Sequence, residues 1–177
     1  MNPAKFKGTG CIGGGEYKTV SFEGVYDCTG DVKAENISID GVFKCSGTVE
    51  VGLLHCNGVS DFKSDIKAEN LEVEGVLSGN KIEATEIHCK GAISVDGEIS
   101  ADLVDAEGFI SAKEIVGDRI IIQSRTHKFI LIVGKWKLSR VDMIEATTVD
   151  LKGVTAKSVS GRDIRIGENC VIENVDC

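Results

Sequence analysis

The stretch VKAENISIDG (32–41) is followed by VEVGLLHCNG (49–58) and IKAENLEVEG (66–75), and the three superpose without a gap. Each has apolar or small residues at its first, third, sixth and eighth places, as in Val32, Ala34, Ile37 and Ile39, and each ends in a glycine. A spacing of two keeps side chains on one side of a strand. The break of phase between the third and sixth places marks a corner, so each window reads as two short strands turning one face inward. A helix would need spacings of three and four over a longer run, and these segments are too β-branched and too regularly cut by glycine.

The same frame continues through IEATEIHCKG (82–91), ISADLVDAEG (99–108), IVGDRIIIQS (115–124), IEATTVDLKG (144–153) and VSGRDIRIGE (159–168), and weakly through Gly15 to Gly24. The starting positions are separated by 17, 17, 16, 17, 16, 29 and 15 residues, a nearly fixed period with one interruption. After each glycine a third apolar segment follows, read from Val25 and Cys28, Val42 and Cys45, Val59 and Phe62, and Ala92 and Val95, so that three faces close one coil. The recurring Gly24, Gly41, Gly58, Gly75, Gly91, Gly108 and Gly153 mark corners.

Such a coil buries its inner face only when neighbours stack on it. The expected fold is therefore all-β, a single-stranded right-handed parallel β-helix, three-faced, with about 17 residues per coil. Residues 1–177 form one domain, with coils over 8–122, a basic and apolar insertion over 123–143, and final coils over 144–177. Coils ~4.8 Å apart, about ten of them, make a rod on the order of 50 Å long.

The composition agrees: 177 residues with 42% hydrophobic content suit one core. A balance of 28 acidic against 20 basic residues, net −8, argues against a nucleic-acid partner. One proline, nine aromatics and 21 dispersed glycines do not describe a low-complexity chain. Met1 to Gly15 holds no signal-peptide apolar run, and no stretch reaches the 18 apolar residues of a membrane span, so a soluble, cytoplasmic protein is expected.

Most apparent chemistry falls into the repeat. Of seven cysteines, Cys28 and Cys45 share one inward place, while Cys56 and Cys89 share another with Ile39, Val73 and Ile122. They read as reduced core filler and not as metal ligands, with Cys177 the thiol expected to be exposed. His55 and His88 take the same outward place two coils apart, about 10 Å, too far to share a proton or a metal. Gly8, Gly10 and Gly13 match a dinucleotide fingerprint, but a strand pattern through Tyr17, Val20 and Phe22 follows where the motif requires a helix. No catalytic residue, cofactor or metal is expected.

The segment from Gln123 to Arg140 breaks the period and holds Arg125, Lys128, Lys135, Lys137 and Arg140 with no acid, leaving 15 basic against 28 acidic residues elsewhere. Between these cations run Phe129 to Val133, then Gly134 and the only tryptophan, Trp136. An added strand packed on the side of the solenoid is one reading. The other is a docking surface for an anionic membrane, an acidic partner or another copy, carried by Arg125, Lys128, Phe129, Lys135, Trp136, Lys137 and Arg140.

The repeated V-x-A-x-x-I-x-I-x-G frame and the C-terminal stretch VSGRDIRIGENCVIENVDC (159–177) resemble bactofilins, the bacterial polymer-forming cytoskeletal proteins, over most of the chain. The resemblance implies a right-handed three-faced β-helix that polymerises end to end without nucleotide, as a cytoplasmic scaffold for envelope-associated proteins at the inner face of the membrane. Familiar members often carry disordered, proline-rich tails, whereas this chain has almost none and carries the 123–143 insertion. The residues point the same way, because terminal coils lack a neighbour and no capping helix is evident. Self-association, as a homo-oligomer or filament, is expected through Phe6, Ile12 and Tyr17 at one end and Ile172 and Val175 at the other. Two other classes compete: a β-helical enzyme of the hexapeptide acyltransferase or polysaccharide lyase kind, and a non-polymerising adaptor docking through 123–143. A six-residue period predicts coils of about 18 residues, longer than the 15 to 17 found here.

Overall fold

The structure, a computed structural model, describes residues 3–124 and 138–177. Every strand in it is parallel to its neighbours, and together they form a β-solenoid of about 9 turns with ~17 residues per coil. In chain order the strands are β1 (Ala4–Ile12), β2 (Gly15–Cys28), β3 (Val32–Cys45), β4 (Val49–Phe62), β5 (Ile66–Val73), β6 (Val76–Gly79), β7 (Ile82–Cys89), β8 (Ala92–Val95), β9 (Glu98–Ala106), β10 (Phe109–Gln123), β11 (Ser139–Lys152), β12 (Val154–Ile166) and β13 (Val171–Asp176). The long strands bend around corners and serve more than one face. β3 points Val32 and Ala34, then Ile37 and Ile39, then Phe43 and Cys45 into the core.

The register follows the repeat. Val32, Val49, Ile66, Ile82, Ile99, Ile115, Ile144 and Val159 are successive partners, and so open eight consecutive coils at one inward place. The 29-residue step from Ile115 to Ile144 is a single coil step in space. The core is a set of such ladders, and the sixth place, from Val20 through Leu54 and Ile87 to Val149, is almost fully buried throughout. Phe6, Phe22, Phe43 and Phe62 run in one aromatic series, with successive ring centroids 5.3, 4.6 and 5.9 Å apart. Phe22 stands over Phe6 and Phe43 over Tyr26, and the aromatic series then gives way to small residues: Ser60 stands over Phe43 and Gly79 follows Phe62. Close packing requires that exchange.

Two expectations are corrected. On the third face the inward residues are Tyr26, Phe43, Ser60 and Ile93, while Val25 and Val59 are 45% and 49% exposed. The corner glycine uses one place, and counting back by two from the inward Cys28 leads to Tyr26. The interruption is also shorter than 123–143. Gln123 closes β10, and Arg140 to Met143 lie in β11, with Ser139 buried between Ile110 and Val154 in the third-face ladder. The Ser139 hydroxyl accepts the Ile110 N–H at 3.0 Å and meets Ser124 Oγ at 2.6 Å, so a polar residue at an inward place is satisfied.

The second corner allows the coils to approach. A β-carbon built on Gly41 falls on the carbonyl oxygen of Gly24, and the same collision recurs at Gly58, Gly75, Gly91 and Gly108 with the glycine one coil below. Gly41 also has φ of 141°, a region other residues rarely adopt. Gly13 has open space where its β-carbon would stand and no positive φ. In dilute protein, Gly41→Ala is expected to cost about 2–5 kcal/mol and lower the melting temperature by about 5–15 °C, whereas Gly13→Ala stays within about 0.5 kcal/mol of the parent. Thermal melts followed by circular dichroism check the contrast.

Candidate functional site: the two ends of the stack

In the order of hydrogen-bonded strands, β1 and β13 are the terminal members. β1 covers only Val20 to Cys28 of β2, so Gly15 to Thr19 pair on one side, with β3. β13 covers only Thr155 to Ser160 of β12, so Gly161 to Ile166 are likewise paired on one side, with β11. Each end is thus a spiral edge about one coil long, with backbone groups facing outward along the axis.

The apolar ladders continue to these edges. Phe6, Ile12 and Tyr17 are half-buried at the N-terminal end, where Phe6 stacks on Phe22 at 5.3 Å and meets Tyr17 edge-on at 6.4 Å. The Tyr17 hydroxyl donates to the Gly14 carbonyl at 3.3 Å. At the other end Ile164, Cys170 and Ile172 are half-buried against the core, while Ile166, Val171 and Val175 are 47%, 59% and 48% exposed. All five residues anticipated at the ends therefore lie there. The sequence reading passed over Ile164, Ile166 and Val171, although Ile164 and Ile166 occupy the sixth and eighth places of the last quoted window. Salt bridges pin the rims: Lys5 and Lys7 both reach Glu23, and Lys152 reaches Glu168 at 3.3 Å. The two lysines hold the Glu23 carboxyl below its ordinary range, chiefly through hydrogen bonds.

Arg125, Lys128, Phe129, Lys135, Trp136 and Lys137 lie outside the described residues. Arg140 is exposed on β11, between Ser111 and Thr155 of the adjacent coils.

The sides of the rod repeat outward what the core repeats inward. Lys33, Glu50, Lys67 and Glu83 are in register and alternate in sign, with ion pairs of 2.7 Å (Lys33–Glu50) and 3.2 Å (Lys67–Glu83). They border an open groove of ≈ 700 Å³ at the first corner, floored by Ala34, Ala68 and Ala84. His55 and His88 have Glu72 directly between them, and Asp105 follows. His55 Nδ1 lies 3.1 Å from Glu72, while His88 Nε2 turns to Glu86 at 3.4 Å. Glu72 and Asp105 share the outward place of the two histidines, as the repeat in the sequence places them. Among the described residues, no group of three or more His, Cys, Asp or Glu is arranged to hold a metal ion. Nor does a helix follow Gly8, Gly10 and Gly13, two of which lie within β1.

Cys28 and Cys45 are register partners, both buried, and both thiols point at the Gly30 carbonyl, at 3.2 and 3.8 Å. Cys11 is exposed as well as Cys177. No helix among the described residues is long and apolar enough to cross a membrane. No family model, curated protein or solved structure matches the chain.

Burial pushes the thiols of Cys45 and Cys89 up to about 12 and that of Cys56 up to about 11. At pH 8 a thiol reagent is therefore expected to label Cys11 and Cys177 rapidly, and Cys28, Cys45, Cys56 and Cys89 only after unfolding. The folded chain holds protons that unfolded thiols, at about 8.5, release. Their stabilisation is complete below pH ~8.5 and is lost as the pH rises towards 11–12, so alkaline melts should show a falling melting temperature. Mass-mapped labelling and melts from pH 8 to 11 test both.

Proposed function

We propose that this protein is a structural scaffold that self-assembles by stacking its β-helices end to end, without nucleotide and without catalysis. The single observation that carries the reading is the pair of half-satisfied edges: among the described residues β1 and β13 each have a strand on one side only, and the apolar ladders reach both. A second copy placed on either edge would pair its backbone and cover its apolar side chains, which is the same free-energy gain that joins one coil to the next. The resemblance of the repeat to bactofilins supports the same role, as a cytoplasmic scaffold at the inner face of the membrane for envelope-associated proteins. In this reading the basic residues of 125–140 supply contact with an anionic surface or an acidic partner.

Negative-stain electron microscopy and concentration-dependent light scattering test the proposal. The parent protein is expected to give rods or filaments that lengthen with concentration. Ile172→Asp, at a half-buried position on the terminal strand, is expected to raise the concentration needed for assembly at least tenfold while preserving the fold by circular dichroism. A protein that stays monomeric at all concentrations, in both forms, would overturn the scaffold reading and return attention to the groove and to residues 125–140.

A further inference from the structure

The two edges match each other residue by residue. Ala4 belongs to the ladder that ends at Ile164, Phe6 to the one that ends at Ile166, Ile12 to the one that ends at Ile172 and Gly15 to the one that ends at Val175. In each case the shift is 160 residues, with no insertion or deletion from Ala4 to Gly15. From this, building on the stacking role above, we infer that the assembly is polar: the N-terminal edge of one copy sits on the C-terminal edge of another in the solenoid's own register, residue n over residue n + 160.

In that register inward residues meet inward residues. Phe6 covers Ile166, Ile12 covers Ile172, Ala4 covers Ile164, and Gly15 leaves room over Val175. Ile166 and Val175, among the most exposed large apolar side chains of the chain, become core. The two glycine columns end in open space at the N-terminal edge. In every coil from Gly24 to Gly108 the space beside the corner glycine is occupied by a carbonyl of the coil below, as it is at Gly30 and Gly47 on the third corner. Gly8 and Gly13 are the lowest members of these two columns, and both face open space. In the proposed register residues 168 and 173 of the neighbouring copy stand below Gly8 and Gly13 and fill that space.

The register also brings like charges together on the rim, Lys5 over Arg165 and Glu16 over Asp176. All four are exposed, so salt screens the repulsion. Assembly is therefore expected to strengthen when ionic strength is raised from about 0.01 to 0.15 M.

Cross-linking tests the register. Cys11 and Val171 occupy the same outward place of the third face, and both are exposed. Stacked ~4.8 Å apart, they fall within the Cα separation of about 4.4–6.8 Å that a disulfide spans. In a Cys177→Ser background, Val171→Cys oxidised with copper phenanthroline is expected to give a ladder of dimers, trimers and higher species on non-reducing gels. Adding Cys11→Ser should abolish the ladder. Micrographs should show an axial repeat of ~48 Å, about ten coils of ~4.8 Å. If the material is filamentous yet cross-links only to dimers, through pairs of the thiol introduced by Val171→Cys that persist when Cys11→Ser is added, or shows a repeat of twice that length, the polar register is wrong while end-to-end stacking stands. If the protein never assembles, the stacking role falls and the register with it.

Discussion

A single coil of this chain buries nothing by itself. Its inner face closes only against the coils above and below, through parallel backbone pairing at a fixed spacing, and every other feature of the molecule depends on that approach. The corner glycines are its clearest signature. Along the Gly24 to Gly108 column the backbone of one coil comes so near the next that no β-carbon fits between them. Side chains then have no choice of neighbour. A valine at the first place meets another β-branched residue one coil away, Phe43 is followed by a serine and Phe62 by a glycine, and the interior becomes a bundle of ladders.

The same constraint governs the outside. Outward residues also meet their counterparts, so the surface is a set of columns whose composition matters more than any single residue in them. Lys33, Glu50, Lys67 and Glu83 alternate in sign and avoid stacking like charge on like charge. His55, Glu72, His88 and Asp105 interleave imidazole with carboxylate. These pairs are exposed, and each contributes little to stability. They explain why residues that resemble ingredients of a catalytic or metal site in the sequence are spread along a rod. What repetition does not resolve are the two edges, where a ladder stops with one neighbour missing.

Much of this was legible in the sequence because the determinants are local and periodic. The eight quoted windows begin at residues that are register partners in space, even across the 29-residue step to Ile144. The third face was harder. Its segment is short, begins directly after a flexible corner, and carries apolar residues at both adjacent places, Val25 beside Tyr26 and Val42 beside Phe43, so alternation alone did not choose between them. Ser139 hid the start of β11 for a related reason: a hydroxyl at an inward place breaks the apolar pattern, and only its bonds to Ile110 and Ser124 account for it. At the ends, Phe6, Ile12, Tyr17, Ile172 and Val175 were found as the last apolar residues of the pattern. The correspondence between the two edges was not, since it is a property of register and not of any window.

The central claim is that the terminal coils are ordinary coils lacking one neighbour, which another copy supplies. Hydrogen–deuterium exchange at increasing protein concentration tests it most directly. The account predicts that slowing of exchange is confined to residues 4–19 and 161–177, with interior coils such as 66–106 unchanged because both their neighbours are already in place. Exchange at both edges that is independent of concentration, or slowing confined to the exposed column of Val25, Val59 and Val76 on the side of the rod, would contradict it.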